Sequence, residues 1–128
     1  MTRNWILLAF AFCCIATLFQ GCMVVAVGAG AAGTVAYVKG DLEAVEAVSL
    51  NDAYQATEKA VEEMGLFTIS KKKDSLGAIF KLRDSDDKKI TIKLTAATES
   101  TTKISIRVGT FGSEAKSQMI YGKIKENI

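Results

Sequence analysis

From residue 34 to the carboxyl end, apolar residues recur in two rhythms, one of period two and one of period near 3.6, and these divide the chain into strands and helices. Residues 34–38 read as strand, and residues 38–48 as a strand with Leu42 and Ala44 on one face and Lys39, Asp41 and Glu43 on the other. Ser49-Leu50-Asn51-Asp52 has the form of a helix start, with Ser49 as cap and an acid three residues later. Leu50, Ala53, Tyr54, Thr57, Val61 and Met64 then make one helical stripe. Glu58, Lys59, Glu62 and Glu63 lie opposite, and Gly65 can end the helix.

Four alternating strands follow. Phe67 and Ile69 belong to the first. The second turns Leu76, Ala78, Phe80 and Leu82 inward and Lys81 and Arg83 outward. After an Asp84-Ser85-Asp86-Asp87 turn, the third buries Ile90, Ile92 and Leu94 against outward Thr91, Lys93 and Thr95. The fourth buries Ile104, Ile106 and Val108, leaving Lys103, Ser105 and Arg107 outside. Gly109-Thr110-Phe111-Gly112 turns into a last helix over residues 113–127, with Ser113 as cap, Ala115, Met119, Ile120, Ile124 and Ile128 inward, and Phe111 folded beneath. The pattern predicts an α+β fold: a two-layer sandwich of strand, helix, four-strand meander and helix, with an antiparallel sheet and both helices on one face.

The amino-terminal region follows neither rhythm. Arg3 precedes an uninterrupted apolar run from Trp5 to Phe19, and Gly21-Cys22 follows. A run of about 15 residues suits the core of an export signal and falls short of the ~20 that span a bilayer. A small residue before a cysteine is what lipoprotein processing requires. Leu18-Phe19-Gln20-Gly21-Cys22 approximates that signal, with Leu one place early and Gln20 where a small residue is usual. The reading is a signal peptide over residues 1–21, lipid attached at Cys22, a Gly/Ala-rich tether over 22–34 and a domain over 35–128. The competing reading is an uncleaved membrane span from Trp5 to Val27, interrupted by Gln20. No Asp follows Cys22, so the expected place is the outer membrane, with the domain facing the periplasm.

Gly28-Ala29-Gly30-Ala31-Ala32-Gly33 spells G-x-G-x-x-G, the turn that cradles a dinucleotide between a strand and a helix. Here strand follows it, and the first acid, Asp41, comes too early. No nucleotide is expected. A flexible tether suits the stretch better, or a small-residue face for assembly in the membrane.

Three segments carry a resemblance. Val38-Lys39-Gly40-Asp41-Leu42, the run from Lys103 to Gly112 (KISIRVGTFG), and Ser117, Ile120 and Ile124 resemble the small bacterial lipoproteins catalogued as domain of unknown function 3568. The likeness runs from about Gly21 to the end. It implies a lipid-anchored envelope protein and supplies no activity. Glu46 departs from it, standing where an apolar residue is expected.

Composition narrows the chemistry. The chain has no His and no Pro, and its three cysteines, Cys13, Cys14 and Cys22, lie in the first 22 residues. The domain therefore lacks a Ser-His or Cys-His pair, a disulfide and a Cys/His metal site. A net charge of +2 gives no argument for nucleic acid. Asp84, Asp86 and Asp87 lack the Gly and closing Glu of a calcium loop and read as a solvated turn. Glu58, Glu62 and Glu63 sit on the helix face away from the core, and Lys71-Lys72-Lys73 reads as a soluble connection. The expectation is a non-enzyme without cofactor or metal, acting as a binding or structural module of the envelope. A membrane-embedded oligomer and a single-pass anchored domain are the alternatives. The candidate binding surface is the outward sheet face, with Lys81, Arg83, Lys93, Lys103 and Arg107. Either Asp41 and Glu43 pair with these cations and water completes the face, or an anionic lipid surface or acidic envelope protein answers them.

Overall fold

A computed structural model describes residues 33–128; Cys13, Cys14, Cys22, the whole 1–21 segment and all of the tether before Gly33 lie outside the described residues. Eight elements follow in order: β1 (Val35–Val38), β2 (Asp41–Glu46), α1 (Leu50–Glu63), β3 (Phe67–Lys73), β4 (Gly77–Arg83), β5 (Lys89–Thr98), β6 (Thr101–Val108) and α2 (Glu114–Glu126). The strands form one antiparallel sheet in the order β1-β2-β6-β5-β4-β3. α1 crosses the inner face between β2 and β3, and α2 returns over β6 and β2. The architecture is the expected α+β sandwich with one strand more. Among the described residues no helix is long and apolar enough to cross a membrane.

The inner face is built in rows across the strands. Leu42, Ile106, Ile92 and Phe80 stand side by side, as do Ala44, Ile104, Leu94 and Ala78, and then Val108, Ile90 and Leu82. All are buried. α1 covers them with Leu50, Ala53, Ala56, Thr57, Ala60 and Val61, so the small residues Ala56 and Ala60 complete the stripe and Tyr54 and Met64 sit at its margin. The Tyr54 ring tilts against Phe80 at 5.0 Å between centroids. Ser49 caps α1 as expected: its hydroxyl accepts the Asp52 N–H at 3.2 Å and donates to the Asp52 carboxylate at 2.8 Å.

Four local expectations need correction. Residues 38–48 are not one strand, because Lys39 and Gly40 both have positive φ, 52° and 89°, and make the two-residue turn of the β1–β2 hairpin. Lys71-Lys72-Lys73 is no connection but the end of β3. Leu76 is 74% exposed, since Asp74 folds the chain into a turn by accepting the N–H groups of Leu76 and Gly77 at 2.8 and 2.9 Å. β4 therefore starts at Gly77.

The last helix is the fourth. It buries Ser117, Ile120, Tyr121 and Ile124, leaving Ala115, Met119 and Ile128 outside. Ser113 caps it by position without a side-chain bond. Phe111 is 92% exposed rather than tucked beneath, because the Phe111-Gly112 backbone presses on the hairpin turn. A Cβ on Gly40 would lie 2.8 Å from the Phe111 carbonyl oxygen, and one on Gly112 would strike the Gly40 carbonyl.

Among the described residues the Ser117 hydroxyl is buried without a hydrogen-bond partner. An unsatisfied buried hydroxyl costs about 1–3 kcal/mol. Ser117→Ala is therefore expected to raise stability in urea unfolding by about 1 kcal/mol, the smaller end of that range because the methyl leaves part of the space empty. A loss of stability would mean that the hydroxyl is satisfied.

Candidate functional site

The outer face is also built in rows. Asp41, Arg107, Thr91, Lys81 and Ser70 stand across β2, β6, β5, β4 and β3, and Glu43, Ser105, Lys93, Ile79 and Lys72 form the next row. The five expected cations share this face, as period-two alternation requires. They do not share an environment.

Arg107 is a structural clamp. Its Nε donates to Asp41 Oδ1 at 2.6 Å, and Nη2 donates to Asp41 Oδ2 at 3.2 Å and to the Lys39 carbonyl at 2.9 Å. Nη1 donates to the Thr110 carbonyl at 3.3 Å. One guanidinium thus joins the β1–β2 turn to the turn leading into α2, a task suited to its planar fork of donors. Hydrogen bonding and charge from Asp41 raise the Arg107 pKa further. The segments containing Lys39-Gly40-Asp41 and Arg107 to Gly112 therefore meet in space. Lys103 pairs with Glu43 at 3.0 Å and Arg83 with Asp87. Among the described residues Lys81 and Lys93 have no acidic partner. Of the five expected cations, Lys81 on β4 and Lys93 on β5 are thus the two left unpaired among the described residues, and Lys72 on β3, which was not among the five, joins them on the outer face.

The remaining candidates are tied into the fold. Asp84 accepts the N–H groups of Asp86 and Lys88, both at 2.9 Å, and receives Lys116 Nζ at 2.7 Å. That hydrogen bond and the turn donors lower the Asp84 pKa. The Asp84–Asp87 segment is thus a locally bonded turn, with Asp84 and Asp86 drawn to Lys116 of α2 and Asp87 to Arg83 of β4. Glu58 accepts from Lys71 at 2.6 Å, which lowers the Glu58 pKa, and Glu63 accepts from Asn127 at 3.2 Å with Lys123 at 3.5 Å. Lys73 bonds Asn51 Oδ1 at 2.7 Å and lies 4.5 Å over the Tyr54 ring. Lys71 and Lys73 thus fasten the edge strand to α1, while Lys72 points outward.

One buried constellation was not anticipated from the sequence. Glu46 points into the inner layer, 8% exposed, where its carboxylate accepts the Tyr121 hydroxyl, with Lys125 Nζ at 3.7 Å. In the same row the Thr102 hydroxyl donates to the Val48 carbonyl at 2.9 Å. An acid at an inward strand position, set against a tyrosine at helical spacing from Ser117 and Ile124, is the available signal. Burial and the adjacent Glu46 carboxylate hold the Tyr121 phenol above its ordinary range, so it stays protonated and donates.

Open grooves flank these features: about 610 Å³ beside the clamp, with Lys88, Lys89 and Thr110; about 420 Å³ between α1 and β3; and about 770 Å³ along Lys72, Leu76, Ile79 and Lys93. The last sets Lys72 and Lys93 beside the exposed Leu76 and Ile79, and the first sets Lys88 and Lys89 beside the exposed Phe111.

The raised phenol makes a pH prediction. A group whose folded pKa lies above its unfolded value of about 10 stabilises fully below that pH, and this stabilisation disappears as pH rises through the folded value. Stability should therefore fall above pH of about 10, and Tyr121→Phe should flatten that alkaline limb. At neutral pH the same variant should lose about 1–2 kcal/mol, because the Glu46 carboxylate loses a buried donor. Equal alkaline limbs in thermal melts of the two proteins would exclude the pair as their source.

The comparison with protein families extends over nearly the whole chain. No curated protein matches it. The family described as "Protein of unknown function (DUF3568)" matches residues 5–127, a span that holds the hairpin turn, the Arg107 clamp and the α2 packing face. On that match the chain belongs to the DUF3568 family.

Proposed function

We propose that the chain is a lipid-anchored protein of the cell envelope whose domain is a non-catalytic binding module. The observation that carries this is the order of Arg3, the apolar run Trp5–Phe19 and Gly21-Cys22, placed ten residues before a folded domain. The domain's chemistry agrees. The buried titratable pair, Glu46 and Tyr121, is a satisfied hydrogen bond inside the packing, with the phenol held protonated. The outward carboxylates of β2 are engaged by Arg107 and Lys103. What the domain offers a partner is its surface, and the outer membrane with the domain in the periplasm is the compartment this reading assigns.

The test is covalent. In the membrane fraction, mass spectrometry should find the mature chain beginning at acylated Cys22, and Cys22→Ser should accumulate as the longer precursor. A stable, unmodified full-length protein in the membrane would instead support an uncleaved span.

A further inference from the structure

We propose that the outer face of β3, β4 and β5 is a docking surface for anionic phospholipid headgroups of the bilayer to which the chain is anchored. The proposal deepens the lipid-anchored reading and rests on it for the proximity of the membrane.

Charge is the first argument. The strands β3, β4 and β5 contain no Asp or Glu. Lys72, Lys81 and Lys93 are exposed on their outer face, and none has an acidic partner among the described residues. On the other half of the same face, Asp41 and Glu43 answer Arg107 and Lys103 at 2.6 and 3.0 Å. The sheet therefore neutralises one half and leaves the other cationic. Like charges on neighbouring strands repel one another, and an anionic surface laid against them removes that cost.

Apolar contact is the second. Ile79, 38% exposed, stands between Lys72 and Lys93 in one row, and Leu76 projects from the adjoining turn. These residues line the groove of about 770 Å³. Its acid, Asp74, lends one carboxylate oxygen to the Leu76 and Gly77 N–H groups. Lysines around exposed aliphatic side chains match the boundary between headgroups and acyl chains, where the ammonium meets phosphate and the hydrocarbon leaves water.

Placement is the third. Gly33 N donates to the Val45 carbonyl at 2.6 Å, and Val45 lies in the row that runs through Lys103 and Thr95 to Gly77. The chain thus enters the domain at the end of the sheet that carries the Leu76 turn. Ten residues separate Cys22 from Gly33, eleven steps that can span at most about 40 Å, so an anchor at Cys22 keeps this end within that reach of the lipid.

The test uses the full chain with vesicles of phosphatidylcholine, alone or mixed with phosphatidylglycerol. The acetylation rate of each lysine is read by mass spectrometry. Lys72, Lys81 and Lys93 should react severalfold more slowly on the anionic vesicles, while Lys59 on α1 reacts equally on both. High salt should erase the difference, since the attraction acts over a Debye length of about 8 Å at physiological ionic strength. K72Q/K93Q should remove the protection of Lys81. Flotation with phosphatidylcholine vesicles at high salt reads the anchor separately. A chain that floats but shows equal lysine rates on both vesicles overturns the docking surface and leaves the anchor standing. Lysine protection on anionic vesicles by a chain that does not float with neutral ones supports the surface and overturns the anchor. Protection that appears only when envelope proteins are added overturns the lipid as occupant.

Discussion

The structure depends on keeping one side of an antiparallel sheet dry. Three rows of buried apolar side chains run across the sheet, two from β2 through β6 and β5 to β4 and one from β6 to β4, with Leu, Ile, Val and Phe as their large members and each residue beside its partners in register. Full burial of such a side chain stabilises by about 1.5–3 kcal/mol, so the rows supply the main favourable term and also fix alignment. A slip of one residue would turn Ile90, Ile92 and Leu94 to water and bring Lys93 into the core. Both helices then have to cover the same face, which sends the remaining polar chemistry outward or to the margins. The Glu46–Tyr121 pair marks one margin, where the dry rows give way to Glu46 and Thr102.

That margin also explains the orientation of α2. On apolarity alone Met119 competes well with Tyr121 for the buried face. A carboxylate pointing inward from β2 needs a donor, and only the tyrosine brings one while filling the space. Choosing Tyr121 aligns it with Ser117, Ile120 and Ile124 and turns Met119, 65% exposed, to solvent.

Most of the fold was legible because period-two alternation is strict where one face is buried, as it is in β4, β5 and β6. The Ser49 cap was legible because its donors and acceptors are local in sequence. The errors have non-local or compact causes. Lys39-Gly40 is a turn of two residues inside an otherwise strand-like run, with a lysine at positive φ that composition does not announce. The apolarity of Phe111 predicts an inward ring, yet it is exposed at a place where its backbone closes on Gly40, a contact between turns far apart in sequence. Arg107 was recognised as an outward cation, while its grip on Asp41, Lys39 and Thr110 depends on turns far apart in sequence.

The outer face thus holds two regimes in a single sheet. Around β2 and β6 the charges are paired and the cations serve the fold; across β3–β5 the outward Lys72, Lys81 and Lys93 have no acidic partner among the described residues. The most direct test of this division compares thermal melts of Lys103→Glu and Lys93→Glu at low salt. Lys103→Glu sets a carboxylate against Glu43 and should lower the melting temperature. Lys93→Glu relieves repulsion among Lys72, Lys81 and itself, and should leave the melting temperature unchanged or raise it. The gap between the two should narrow near 1 M salt, where screening acts within about 3 Å. Equal losses for both variants at low salt would contradict the division.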